Sequence, residues 1–394
     1  MVALNSLPDK EKQDAVLRAL FDPRDGAGFS VMKTVLGSTD FQSASQDWFS
    51  YDDTPDDVDL TDFSIARDLA PTGELTYIRR ARQAGGSFAL QASMDYPPDW
   101  MLTTLADKGH QNVDPRYYDA LARYYVRYLQ EYQQQGVHIE YLSLFNEPGA
   151  YTKIPSSDLN VLIRDHVGPL FAAQHVNTGL IATEVATRNA AVEYYAPIVA
   201  DPTTRRFVDV LGYHGYFGDG ADVVAQLHRS VPGIPLWMTE ICCMHAGDGD
   251  FYANQILDDL ESGASAWIYW NMILDENGGP WLVSPVHEDL DPNGQPAIVH
   301  INRTTHEVVY TGLYYYLAHF SRFVRPGSVR LGTAVSSASS GVRAMAFRTG
   351  DGSIVTELVN SADAARTVQV RWRGGSVPVA LGAKSITTLR WPAA

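Results

Sequence analysis

Short apolar runs alternate with helical stretches from the N-terminus to the Arg325-Pro326-Gly327 break. The runs are Phe29 to Val35, Ser87 to Ser93, Ile139 to Phe145, Gly179 to Thr183, Val208 to His214, Leu236 to Thr239 and Ala264 to Met272. Each has strand length and is rich in β-branched or aromatic residues. Between them, apolar positions return at helical spacing. Tyr118, Leu121, Ala122, Tyr125, Leu129 and Tyr132 fall on one stripe and read as core. Asp114-Pro115 opens that helix and Gly136 closes it. An earlier helix is predicted from a Ser6 cap, with Pro8 in its first turn, through Val16, Leu17, Leu20 and Phe21 to a stop at Pro23. This rhythm predicts a parallel sheet with helices outside it, an α/β fold of the (β/α)8 TIM-barrel type. Seven runs are present where eight are needed. The chain opens on a helix, so the missing strand would be the first, unless another segment fills its place.

Past Arg325-Pro326-Gly327 the period changes to two. Val342 to Arg348, Ile354 to Val359, Val368 to Arg373 and Ile386 to Trp391 are short alternating runs. Val368, Val370 and Trp372 interleave with Gln369, Arg371 and Arg373, and Asp351-Gly352 is a hairpin turn. This tail predicts an antiparallel β-sandwich. The expected domains are residues 1–325, the barrel, and 326–394, the sandwich.

Composition narrows the function. The chain has 394 residues, 45% apolar and 19% charged, with a formal net charge of −16. That charge repels phosphates, so nucleic acid and anionic membranes are not expected partners. No apolar stretch is long enough for a transmembrane segment, and no signal peptide is visible at the start. The two cysteines, Cys242 and Cys243, are adjacent. Bridged cysteines normally come from separate segments, so no disulfide framework is expected. Without spaced partners they also make no zinc site.

The chemistry lies at the ends of the runs. Asn146-Glu147-Pro148 ends the third and Thr239-Glu240 ends the sixth. In a parallel barrel, C-terminal strand ends converge on one face. Two facing carboxyl groups are what cleavage of a glycosidic bond needs: a proton for the leaving oxygen and an anion for the anomeric carbon. An amide beside the acid, as at Asn146, can donate to a sugar 2-hydroxyl. Aromatic residues gather at the same ends: Tyr96 and Trp100, Tyr213, His214 and Tyr216, then Trp270 and Asn271. Flat rings there can stack on sugar rings. Glu184 also ends a run, but has no preceding Asn and no following Pro. The acidic stretch Asp52-Asp53-Thr54-Pro55-Asp56-Asp57 lacks the EF-hand pattern and reads as a solvated loop. No phosphate loop, HExxH or GxSxG is present. No metal or cofactor is expected.

With these motifs the chain resembles family 30 glycoside hydrolases of the glucocerebrosidase-like branch, within the barrel glycosidases of clan A. Thr39-Asp40-Phe41, Tyr51 to Asp57, Asn146-Glu147-Pro148, His214 with Tyr216, Thr239-Glu240-Ile241-Cys242, Trp270-Asn271, Gly278-Gly279-Pro280 and Leu317 to Phe323 carry the resemblance. It implies a retaining β-glycosidase of β-glucosidase or glucosylceramidase type, with a carbohydrate or glycolipid substrate. Glu147 would be the acid/base and Glu240 the nucleophile. Tyr216 would donate to Glu240. Asp40, Asn146, His214, Trp270, Asn271, Asp95 and Tyr96 would meet the sugar. Lys33 stands where the resemblance implies an arginine, Asp95 where it implies a tryptophan, and the family's N-terminal strands are missing. Alternatives are an endo-acting member cutting xylan, β-1,6-glucan or β-1,6-galactan, and a non-catalytic carbohydrate-binding relic.

Overall fold

The structure, a computed structural model, describes residues 2–39, 49–103, 112–149, 152–216, 220–243, 245–279, 295–336 and 341–392. All seven apolar runs become strands of one sheet: β1 Val31–Val35, β2 Ala89–Ser93, β3 Tyr141–Ser143, β4 Gly179–Val185, β5 Val210–His214, β6 Leu236–Glu240 and β7 Ala264–Trp267. They lie in sequence order and every neighbouring pair is parallel. A parallel order requires a crossover between successive strands. The helices Glu74–Gln83, Tyr118–Gln134, Ala191–Ala200, Ala221–Ser230 and Gly249–Ser262 lie in five of these crossovers.

The helix Tyr118–Gln134 shows how pattern becomes structure. Asp114 accepts from the Arg116 amide at the start of the turn that leads into it, and Gly136 leaves it at φ 74°. Its predicted stripe is buried, and Tyr124 and Tyr128 join it. The first helix departs from expectation. It spans Lys10–Phe21 and is capped by Asp9, whose carboxylate accepts from the Glu11 amide. Ser6 instead ends a short helical turn, Val2–Asn5, and donates to the Ala3 carbonyl.

β1 and β7 are the two outer strands of the sheet and are not paired with each other. Between them runs a cavity of about 1890 Å3, lined by Val31 to Val35 on one side, Ala264 to Trp270 on the other, and Val2, Ala3 and Asn5. Among the described residues no strand joins β1 to β7, so the sheet is open along that seam.

After β7 come β8 Ile273–Asp275, β9 Val299–Ile301 and β10 Val308–Tyr310, a small separate sheet, and the helix Gly312–Phe323. The C-terminal part has β11 Val329–Leu331, β12 Val342–Arg348, β13 Ser353–Asn360 and β16 Ser385–Pro392 in one antiparallel sheet, and β14 Arg366–Trp372 with β15 Gly375–Leu381 in another. Val342 and Leu358 from the first sheet pack with Val368, Val370, Val379 and Leu381 of the second. Asp351-Gly352 makes the β12–β13 turn, Gly352 at φ 81°. The helix Gly312–Phe323 docks on this sandwich: the Tyr316 hydroxyl donates to the Lys384 carbonyl, and His319 Nδ1 lies 2.7 Å from Thr388 Oγ1.

One expectation holds and one is corrected. Cys242 and Cys243 are bonded to each other in a small ring between neighbours, so no disulfide ties separate segments together. The acidic stretch after Tyr51 is only partly solvated. Asp52 is 1% exposed, its carbonyl accepts from the Trp100 indole, and burial pushes its carboxyl up to about 6. That buried end follows Tyr51, a ring stacked on Tyr128 in the core.

Candidate active site

Parallel strands place their polar exit residues together, and here five exits and one strand centre meet. Glu147 follows β3, Glu184 lies in β4, His214 ends β5, Glu240 ends β6 and Trp270 follows β7. Lys33 is the middle residue of β1.

Glu147 sits in the left-handed region at φ 44°. That conformation costs a non-glycine residue on the order of 1 kcal/mol or more. Two backbone hydrogen bonds hold it: the Asn146 amide donates to the Met94 carbonyl at 2.8 Å, and the Glu147 amide to the Glu184 carbonyl at 2.9 Å. The strand is thus turned sharply at its tip, and the Glu147 side chain meets His214, Nδ1 to Oε1 2.8 Å.

One oxygen of Glu147, one of Glu240 and a ring nitrogen of His214 all lie within 4.8 Å of one another. Lys33 Nζ lies 2.7 Å from Glu240 Oε2, 3.0 Å from Asn146 Oδ1 and 3.3 Å from Glu184 Oε1. The Tyr216 hydroxyl donates to Glu240 Oε1 at 2.9 Å. The Lys33 ammonium is 5.9 Å from the centre of the Trp270 ring. Glu184 is fully buried, with Gln91 Nε2 donating to Oε1 at 2.7 Å and the Ser93 hydroxyl to Oε2.

Buried charge is tolerated only when paired, and the pairing sets the protonation states. Burial opposes the Lys33 charge, but Glu184, Glu240 and Asp95 outweigh it and hold the ammonium above its ordinary value. Burial alone would raise Glu240. The charges of Lys33 and then His214 reverse that, and its carboxyl stays below the usual range. Glu184 is likewise pulled well down against burial, chiefly by Lys33 and then His214. His214 would lose its proton through burial, yet the charge of Glu240 and the contacts to Glu147 and Glu184 lift it to about 9. Near neutrality the site therefore holds an imidazolium and an ammonium against ionised Glu184 and Glu240.

The remaining predicted residues fall as follows. Asp95 and Tyr96 are buried just beyond β2, and the Asp95 charge acts on Lys33. Asn271 Nδ2 donates to Gln295 Oε1 at 2.6 Å. Trp270 is half-buried, with its amide donating to the Ile241 carbonyl. Asp40 lies outside the described residues. Lys33 and Glu184 belong to the same cluster, although the sequence marked neither as a site residue. The signal that could have found them is a charged residue inside an apolar run. Glu147, His214 and Glu240 also have the spacing of a cation site. The ammonium of Lys33 already neutralises Glu240, and a divalent ion beside it would be repelled. The set fits no metal.

A parallel barrel that presents two close carboxylates at strand ends is the architecture of a carbohydrate-cleaving hydrolase. The comparisons narrow this. The "Glycosyl hydrolase family 30 TIM-barrel domain" matches residues 1–324, and the "Glycosyl hydrolase family 30 beta sandwich domain" matches residues 327–389. The chain belongs to glycoside hydrolase family 30 and is a glycoside hydrolase. It is 28% identical over 376 residues to "Putative glucosylceramidase 4" of Caenorhabditis elegans, covering 88% of this chain and 70% of that protein. It is 26% identical over 398 residues to an endo-1,6-β-D-glucanase of Neurospora crassa, covering 97% and 78%. Its fold matches that of SrfJ from Salmonella typhimurium with a TM-score of 0.87 at 23% identity, over 99% of this chain and 87% of that one.

Proposed function

We propose that the protein is a retaining β-glucosidase of glucosylceramidase type, with Glu240 as nucleophile and Glu147 as acid/base. The observation that carries this is the spacing of the pair. Retaining hydrolysis needs carboxyl groups about 5–5.5 Å apart, whereas inversion needs about 6.5–9.5 Å to admit a water. An oxygen of Glu147 lies within 4.8 Å of one of Glu240.

The environment supports the division of roles. Glu240 has Lys33 on one oxygen and Tyr216 on the other, which keep it ionised and aimed. In the first step a Glu240 oxygen bonds to the anomeric carbon, the bond to the leaving oxygen breaks, and Glu147 gives that oxygen its proton. In the second step Glu147 takes a proton from water. The water oxygen then bonds to the anomeric carbon, and the ester to Glu240 breaks. His214 holds Glu147 Oε1, which leaves Oε2 for the glycosidic oxygen.

The test is turnover of 4-nitrophenyl β-glucoside. Glu240→Gln should lower kcat at least about 1000-fold. In Glu240→Ala, added azide should give the α-glucosyl azide. In Glu147→Ala it should give the β-anomer. Wild-type turnover in Glu240→Gln, or an α-configured sugar as first product, would refute the assignment.

An endo-acting β-1,6-glucanase is the second reading. The Neurospora glucanase aligns with 97% of this chain, against 88% for the nematode protein. Asp95, a buried carboxylate whose charge reaches Lys33, suits a hydroxyl-rich glucan better than a stacked ring would. Shortened β-1,6-gluco-oligosaccharides, rather than glucose from chain ends, would mark this activity.

A further inference from the structure

Glu184 has no role in that reaction, yet it meets both cations that hold the reacting glutamates. Its carbonyl accepts from the Glu147 amide at 2.9 Å, which fixes the backbone of one reacting carboxylate. Its Oε1 lies 3.3 Å from Lys33 Nζ and 3.8 Å from His214 Nε2. Those two cations in turn hold Glu240 at 2.7 Å and Glu147 at 2.8 Å. His214 Nε2 is fully buried with no hydrogen-bond partner among the described residues. At 3.8 Å the Glu184 contact is electrostatic rather than a hydrogen bond.

We infer that Glu184 is a positioning residue, a third carboxylate that keeps His214 and Lys33 charged and through them sets the two reacting glutamates. This rests on the reading that Glu147 and Glu240 cleave the substrate. Glu184 cannot serve as their substitute, because it is fully buried and its oxygens are taken by Gln91, Ser93 and Lys33. Without it, the cations would face the remaining carboxylates alone. His214 would then release its proton at lower pH, and Glu147 and Glu240 would lose the charge that lets them lie so close.

The groups that face this pair are few. His214 meets Glu147 from beyond β3, Glu184 from β4, Glu240 from β6, the Lys33 charge from β1 and the Tyr216 ring near its own strand end. Glu184 meets Lys33 from β1, Gln91 and Ser93 from β2, and Tyr195 from the following helix. Tyr195 donates to the Thr183 and Gly212 carbonyls, so it adds no charge.

The experiment compares Glu184→Gln with Ser93→Ala. Glu184→Gln should lower kcat at least about tenfold, leave KM within about twofold, and move the alkaline limb of kcat/KM down by about one pH unit or more. Ser93→Ala removes a neutral donor and leaves the charge, so its alkaline limb should not fall. Imidazole resonances report the His214 titration without turnover, and in Glu184→Gln that titration should fall by the same shift. An unchanged limb and titration in Glu184→Gln, or an equal shift in Ser93→Ala, would overturn the proposal. If Glu184→Gln does not fold, Glu184→Asp is read for the same signs. If neither variant folds, a wild-type His214 titrating below about 7 overturns it. A protein that cleaves no glycoside sinks the functional reading, while the titration still decides the link between Glu184 and His214.

Discussion

Lys33 Nζ lies 2.7 Å from Glu240 Oε2, with only 3% of the lysine side chain exposed. One ammonium thus joins the centre of β1 to the tip of β6, across the open seam side of the barrel. Removing it would leave Glu240 buried without its main counter-charge. Lys33→Met should lower kcat/KM by about 100-fold or more, since stranding a buried charge costs about 3–5 kcal/mol. The sign in pH follows from the pairing. Glu240 is held below its ordinary value by Lys33, so without Lys33 it takes up its proton sooner as pH falls. The acid limb of the rate profile should move to higher pH, and Lys33→Arg should largely restore it.

Tyr216 offers a milder perturbation. Its hydroxyl donates to Glu240 Oε1 at 2.9 Å and is 3.5 Å from Cys242 Sγ. A hydrogen bond to a charged group is worth about 1.5–3 kcal/mol. Tyr216→Phe should lower kcat by about 10- to 100-fold with its melting temperature little changed. Steady-state kinetics beside a thermal melt would separate the two effects.

Arg188 and Asp259 form a bidentate pair at 2.8 and 2.7 Å, 2% and 0% exposed at the side chains. Tyr213 and Trp267 also donate to Asp259, and Arg188 donates to the Gly215 carbonyl just past β5. Arg188→Met should destabilise by about 3–5 kcal/mol, because Asp259 would be left buried and unpaired. Denaturant unfolding followed by tryptophan fluorescence measures it.

The sandwich holds a buried acid of its own. Glu357 in β13 accepts from Thr388 at 2.6 Å, and its other oxygen has no partner among the described residues. Burial pushes its carboxyl up to about 8 from an ordinary 4.5. Its folded-state value is thus raised above the unfolded one. The stabilisation is complete below about pH 4.5 and is lost as pH rises through about 8, on the order of a few kcal/mol in all. Glu357→Gln should melt higher than the wild type at pH 8, and the advantage should vanish by pH 4.5.

The readable parts of the sequence were those decided by local chemistry. All seven barrel strands show as apolar runs because parallel strands are buried on both faces. Glu147 and Glu240 stand out because each breaks such a run at its exit. β15 leaves no mark in the sequence because nearly all its side chains are exposed or half-exposed and Pro378 interrupts it, so no alternation appears. The Asp9 cap is masked in the sequence because Ser6 and Pro8 carry the same local signal. Lys33 and Glu184 show in the sequence only as charges inside apolar runs, and their role stays hidden because it lies in meeting each other and His214. That meeting depends on how β1, β4 and β5 curl together, which no stretch of sequence encodes by itself.

The open seam between β1 and β7 carries a consequence for the rigidity of the site. No strand pairing joins them among the described residues, so at the mouth of the site side chains do the linking. Lys33 on β1 reaches Glu240 at the end of β6 at 2.7 Å and lies 5.9 Å from the ring of Trp270, which follows β7. A substitution that removes the ammonium should therefore loosen the two outermost strands from each other as well as disarm the nucleophile, and backbone amide exchange in β1 should report it.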